Sequence, residues 1–457
     1  MAGYQKLHTL LIEELDQVFE EGKALDREAM EARITAAGDD RETLMGLYRE
    51  LCALPDRPDF PYTEPTEYED IQPLCRLGNT VQPVGDETLY EKAYGAWLGR
   101  CAGCALGQPV ELWTREGIRE WCREADAWPL DNYLPAHSRA EAKGVKLNNT
   151  YSTRDNLRHM PTDDDIRYTV IGLDLMRGRG DSFDSWDVGS SWLYGLPFRQ
   201  LCTAENQAYL NFVNVDENGP WGKPDGAVDL LRRDRVNTWL NPYREWIGAQ
   251  IRIDAYGYAC AGDPHKAAKL AHTDAYFSHV KNGVYGAMFF AALIAAAFIE
   301  KDIDRAIDCA MREIPRTSRF YEAMNRALEI ADTAADGEDL LDRVLEAYKE
   351  YNVVHTINNA ALCLAAIRFS RGNFETALTL SVMGGMDTDC NGATVGSVMG
   401  AFCGAAGIPE KWKTPLNDTL YSGLAESHPI AISELAKRTC GVHRKLYSGT
   451  DTVHTAQ

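Results

Sequence analysis

The chain has 457 residues, 45% of them apolar, 25% charged and 10% aromatic, and a formal net charge of −21. That balance supplies enough apolar surface for a large core and excludes a disordered chain. The acidic excess excludes non-specific nucleic-acid binding and an anionic membrane surface. The opening MAGYQKLHTLLIEEL lacks the apolar stretch of an export signal. The longest apolar run, Val284 to Ile299, falls short of the roughly 20 residues of a membrane span. A cytoplasmic protein without a membrane partner is expected. Its twelve scattered cysteines are then reduced thiols, and the only CxxC, Cys101 to Cys104, has no second pair to complete a zinc site.

Residues 1–54 predict two or three amphipathic helices as an N-terminal extension. Leu7, Leu11, Leu15 and Val18 share one face, and Asp26 and Asp40 are N-caps for the helices that follow. PDRPDFPYTEP, from Pro55 to Pro65, breaks any helix and opens a proline-containing linker that runs to residue 88. Residues 89–457 then read as one predominantly helical domain. Helical spacing recurs at 226–236, 264–274, 283–300, 320–333, 337–352, 357–370 and 373–383, while strand-like alternation is weak. Segments 126–160 and 179–224 collect Asn, Gly, Pro and Asp between aromatics, and read as loops of the kind that wall a site. The fold class is all-α.

Three stretches carry candidate chemistry. In GAWLGRCAGCALGQPVE, glycines recur at Gly95, Gly99, Gly103 and Gly107, ahead of Glu111. In MPTDDDIRYTVIGLDLM, Thr162 is the expected N-cap, and Asp163, Asp164 and Asp165 fill the first turn of a helix. Capping alone needs one carboxylate, and three adjacent ones repel, so their density suits a hard cation such as Mg²⁺ or Mn²⁺. In MGGMDTDCNGATVGSVMGAFCGAAG, Gly384 and Gly385 end one helix in a left-handed turn. Asp387 and Asp389 then open another, striped with Gly392, Gly396, Gly400 and Gly404. Two bare stripes predict helices in close contact, with acids gathered where those helices end.

In this order the three stretches resemble the ADP-ribosylglycohydrolase family, which includes dinitrogenase-reductase-activating glycohydrolases and J1 crystallins. Gly95 to Glu111 is similar to the family's G-x-x-x-G-x-x-x-G-D-A-x-G, with Cys104 in place of the aspartate. Thr162, Asp163 and Asp164 match T-D-D-T, with Asp165 for its last threonine. Gly384 to Cys390 resembles G-G-D-T-D-T, with Met386 inserted and Cys390 for the last threonine. The resemblance spans about residues 90–415, and its departures mark a divergent, bacterial-type branch.

The resemblance implies an orthogonal helical bundle with two Mg²⁺ (or Mn²⁺) ions, ligated by Thr162, Asp163, Asp164, Asp387 and Asp389. It implies hydrolysis of the glycosidic bond of a ribosyl substrate, ADP-ribosyl adducts first. Asp163, Asp389 and an acid/base carboxyl on Glu111 would form the catalytic set, and His279, Asn282, Gly385 and Met386 would lie on the substrate side. Two other outcomes share these residues: hydrolysis of a free nucleoside or other sugar N-glycoside, or a crystallin-like descendant without catalysis.

Overall fold

The computed structural model describes residues 5–214, 235–425 and 427–448. The N-terminal extension forms α1 (Leu7–Glu20), α2 (Arg27–Ala37) and α3 (Arg41–Cys52). Its caps are those expected: the Asp26 carboxylate accepts from the Ala29 N–H and that of Asp40 from the Glu42 N–H. Leu11, Leu15, Ile34, Leu44 and Leu51 close a small core of its own, which Trp239 from the main body completes edge-on to Tyr48. The proline-rich segment then runs extended across the bundle, where the Thr63 N–H donates to the Thr317 carbonyl and Glu64 pairs with the buried Arg319.

After the short α4 (Tyr68–Ile71), the main body is built from α5 (Asp86–Gly107), α6 (Arg115–Glu124), α7 (Asp164–Arg179), α8 (Ser185–Gly195), α9 (Thr203–Val213) and α10 (Asp254–Ala259). It continues through α11 (Pro264–Ala275), α12 (Lys281–Ala297), α13 (Ile303–Met311), α14 (Arg319–Thr333), α15 (Gly337–Ala347), α16 (Thr356–Ser370) and α17 (Phe374–Met383). It closes with α18 (Thr388–Gly407), α19 (Glu410–Lys413) and α20 (Ile432–Tyr447). Among the described residues the only sheet is a two-residue ribbon pairing Thr419–Leu420 with Ile430–Ala431. The fold is all-α. No single helix among them is long and apolar enough to cross a membrane; one sharply bent pair, α18 with residues 410–416, passes by length and composition, and most of α18 is buried in the core.

The two glycine stripes meet face to face. The helices α5 and α18 run antiparallel, with Gly95 against Gly400, Gly99 against Gly396, Gly103 against Gly392, and Gly107 against Thr388. A Cβ on Gly99 would stand 2.0 Å from the Gly396 carbonyl oxygen, and one on Gly396 2.0 Å from that of Gly99. Side chains are therefore excluded along the seam. This register places the C-terminal end of α5 beside the N-terminal end of α18, where the Thr388 hydroxyl donates to the Gly107 carbonyl at 2.9 Å.

Several expectations need correcting. The segment 179–224 is not all loop, since α8 and α9 lie within it. Ser and Gly in α8 are poor helix formers, but a capping box between Asp184 and Asp187 fastens its start, and Val188 and Trp192 bury its inner face. In α9 the Asn211 amide bridges the carbonyls of Val236 and Trp239 at 2.8 Å each, so tertiary contacts retain a residue that helices disfavour. Residues 215–224 of that segment, and most of 226–236, lie outside the described residues. The cap of α7 is Asp163 rather than Thr162. Gly384 is still right-handed, and the left-handed turn falls on Gly385 and Met386.

Candidate metal centre and its surroundings

The acid pocket is assembled by three chain segments. From the α5–α18 seam comes Thr388, with Asp387 and Asp389 on either side of it; from α7 come Asp163, Asp164 and Asp165; from the turn after α5 comes Glu111. Oxygens of Glu111, Asp387 and Asp389 lie within 4.8 Å of one another, and so do the ligand atoms of Cys104, Asp163 and Asp165. Asp163 joins the two groups electrically, because its charge bears on Glu111, Asp387 and Asp389 alike. The Gln108 side-chain amide holds the Asp163 carboxylate at 2.6 Å, and the Ser152 hydroxyl holds Gln108 in turn. That buried pair was not singled out in the sequence, although Gln108 sits directly after the glycine stripe.

Glu111 reaches the pocket because its loop is clamped. The Leu112 N–H donates to the Met386 carbonyl at 2.9 Å, and the Met386 N–H donates to the Trp113 carbonyl at 3.1 Å. Both Leu112 and Met386 are left-handed, at φ 63° and 64°, a conformation that a non-glycine residue keeps only when its surroundings enforce it. Gly385 is required beside them: a Cβ there would stand 2.7 Å from the Trp113 carbonyl oxygen. From the other side Asn148 donates to the Glu111 carbonyl at 2.8 Å. The 126–160 segment does wall this pocket, and its exposed Tyr151 is close enough for the charges of Asp163, Glu111 and Asp389 to act on its phenol.

A second support is Asn359, fully buried on α16. Its carbonyl oxygen accepts from the Asp387 N–H at 3.4 Å and from the Asn391 amide at 2.8 Å, while its amide donates to the carbonyls of Val353 and His355. Its neighbour Asn358 donates to the Met386 sulfur. Sequence spacing offers no signal for their hold on the acid loop, because Met386, Asp387 and Asn391 lie 28 to 32 positions away.

Crowding like charges away from water raises the carboxyls. Burial first, then Asp387 and Asp163, push Glu111 up to about 7. Burial and the neighbouring Asp163 hold Asp387 at about 6, despite a hydrogen bond from Asp389. Asp164, Asp165 and Asp389 are raised well above the carboxylate range, again by burial first. Two buried guanidiniums approach these acids among the described residues: Arg167, whose charge acts on Asp164 and which donates to the Thr162 hydroxyl, and Arg100. Arg100 donates to the Asp165 carbonyl and pairs mainly with Asp254 at 2.7 Å, reaching the Asp165 carboxylate at only 3.9 Å. It lies behind the pocket and does not bridge the two groups.

The remaining sequence candidates fall as follows. Asp164 belongs to neither close group but feels Asp163 and Asp387. The Thr162 hydroxyl donates to the Ser422 carbonyl and accepts from Arg167. Cys104 is buried among the acids, and burial with Asp163 and Asp165 keeps it a neutral thiol. Cys390 is buried outside both groups. His279 and Asn282 have interior partners instead of pocket contacts. The His279 ring meets Ser278 and lies 4.0 Å from Glu205, and Asn282 accepts from the Phe320 N–H and donates toward Glu245; both are fully buried. Neither belongs to the two acid groups of the pocket. Gly385 and Met386 shape the clamp, with Met386 half-exposed at its edge.

No curated protein matches the chain. Among solved structures, one described as an ADP-ribosylglycohydrolase-related protein complex is similar at 17% identity with a TM-score of 0.46, over 79% of this chain and 99% of that one. A family model described as ADP-ribosylglycohydrolase matches residues 85–445, a span that takes in both glycine-striped helices and every acid of the pocket. The chain belongs to the ADP-ribosylglycohydrolase family.

Proposed function

We propose that this chain is a divalent-cation-dependent hydrolase that cleaves the glycosidic bond of a ribosyl substrate, ADP-ribosyl adducts first. The observation that carries this reading is the convergence of Asp163, Asp165, Asp387, Asp389 and Glu111, where among the described residues the nearest guanidinium, Arg100, reaches only Asp165, at 3.9 Å. A buried oxygen on each of Asp165 and Asp389 has no hydrogen-bond partner, with only the Arg100 guanidinium 3.9 Å from that of Asp165, and burying polar oxygens without partners is costly. Oxygen donors at this density fit Mg²⁺ or Mn²⁺. Asp163, Asp164, Asp387 and Asp389, with the Thr162 hydroxyl, are the residues that would hold two such ions. The neutral thiol of Cys104 adds no hard ligand, and Asp165 stands beside it as a further carboxylate.

When bound, paired ions of this kind orient a diol and polarise the bond at the sugar carbon. The chain's own contribution is proton handling and placement. Near neutral pH the Glu111 carboxyl divides between its two protonation states, which suits a group that passes a proton at the leaving atom and takes one from water. The Leu112–Met386 clamp fixes that carboxyl over the pocket, and Tyr151 borders the entrance.

Titration calorimetry with Mg²⁺ and Mn²⁺, on wild type and Asp389→Ala, tests the centre. Wild type is expected to bind, with the variant weakened by at least about tenfold; equal binding removes the site. Release of ADP-ribose from modified protein, compared with release of sugar from free nucleosides, then separates the adduct substrate from the free glycoside.

A further inference from the structure

Six arginines are buried among the described residues. Five of them, Arg100, Arg115, Arg244, Arg252 and Arg319, each hold a carboxylate within 2.8 Å, as a charge withdrawn from water requires. The sixth, Arg167 on α7, is only 8% exposed and forms no ion pair with any described residue. Its single hydrogen bond runs from Nη1 to the Thr162 hydroxyl at 3.0 Å. The Nε is sealed off, but Nη2, equally without a partner, keeps accessible surface. Arg167 follows Asp163 by four residues and Asp164 by three, so it stands one turn along the same face of α7. Its charge acts on Asp164 and on Cys202, an exposed residue that also feels Glu111. It therefore borders the acid pocket. The turn at Gly423 braces it there: a Cβ on that glycine would stand 2.9 Å from the Thr162 hydroxyl and 3.6 Å from the Arg167 Cδ.

We propose that Arg167 is a specificity-determining residue of the acid pocket and that its Nη2 binds a phosphate oxygen of the substrate. The site then takes a phosphorylated ribosyl compound in preference to a neutral nucleoside. The inference rests on the hydrolase reading above, in which Asp164 is committed to holding cations, so the counter-charge of Arg167 has to come from a ligand. An anionic group entering beside Glu111, Asp387 and Asp389 is repelled by their charges, and the guanidinium at the Thr162 side offers it a charge-assisted hydrogen bond. That contact orients the substrate, with its phosphate toward the start of α7.

The test is calorimetric titration of the full chain in Mg²⁺ with ADP-ribose, adenosine and inorganic phosphate, on wild type, Arg167→Met and Arg167→Lys. Wild type is expected to bind ADP-ribose more tightly than either other probe. Arg167→Met should weaken ADP-ribose by at least about tenfold, with Mg²⁺ affinity not reduced and adenosine no weaker, and Arg167→Lys should recover part of the loss. Without ligand, the melting temperature of Arg167→Met should equal or exceed that of wild type, because an unpaired buried charge is removed; a structural brace would instead lower it. Equal ADP-ribose affinity in wild type and Arg167→Met, parallel losses for ADP-ribose and adenosine, or inorganic phosphate bound as tightly as ADP-ribose each overturns the proposal. So does a wild type that does not bind ADP-ribose. The hydrolase reading falls on different results: Mg²⁺ binding indifferent to Asp389→Ala, or no sugar released from any glycoside.

Discussion

At the scale of single residues, Glu111 is the group on which the proposed chemistry turns. It sits at the rim of the pocket, while its neighbours Asp387 and Asp163 raise it toward neutrality. Glu111→Gln keeps the shape and removes the proton. Turnover of a ribosyl substrate is expected to fall by roughly 100-fold, and Mg²⁺ affinity to change less than in Asp389→Ala. Steady-state kinetics paired with metal titration reads both, and unimpaired turnover ends the acid/base assignment. Asn359 acts one step back, by holding the backbone of Asp387. Asn359→Leu strips partners from the Asp387 N–H, the Asn391 amide and two carbonyls, at a cost of about 3 kcal/mol or more. Urea unfolding should show that loss. A Mg²⁺ affinity weakened by about tenfold would mark a positioning role, whereas lost stability with intact affinity would mark packing alone.

At the scale of elements, the seam between α5 and α18 sets the site. Gly95, Gly99 and Gly103 face the backbone of Gly400, Gly396 and Gly392, the shared register delivers Gly107 to Thr388, and Gly404, where α18 breaks, meets the Glu91 side chain instead. Gly396→Ala forces a methyl group within about 2.0 Å of the Gly99 carbonyl. The helices must separate along their whole contact, so destabilisation of at least about 3 kcal/mol is expected. A chemical denaturation midpoint equal to that of wild type would show that the seam can open without cost. Gly178, which has open space around the position of a Cβ, is the control, and Ala there should be tolerated. The stripes were legible because glycine at every fourth position is a pattern in the chain itself. The helices α8 and α9 were not, because their cap and their bridging asparagine act through partners that local composition does not name.

At the scale of the whole molecule, the carboxylates of the pocket oppose folding when no cation is bound. Asp387 at about 6 and Glu111 at about 7 hold protons more tightly in the fold than in the unfolded chain, where such groups titrate near 4. The unfolded chain gives up those protons first, so the contribution of these groups to stability falls as pH rises from about 4.5 through 7. Added Mg²⁺ takes the place of the protons and should raise the melting temperature at about pH 7.5, with the gain shrinking toward pH 5. Melting curves in chelator and in Mg²⁺ across that range check it; a gain that is equal at both ends would argue against carboxylate ligands. The extension is tied to the same body by buried ion pairs of Arg244 with Glu14 and Glu21, at 2.8 and 2.7 Å.

By itself the sequence determined the helical class, the caps at Asp26 and Asp40, the two bare stripes and the identity of the clustered acids, because each is a matter of local spacing and residue type. Only the tertiary structure decided that Asp165 and Cys104 share a group with Asp163, that Gln108 and Asn359 hold the aspartates, and that His279 and Asn282 are fully buried. Those outcomes depend on which surfaces meet when distant helices pack, and no periodicity along one segment encodes the partner it will find.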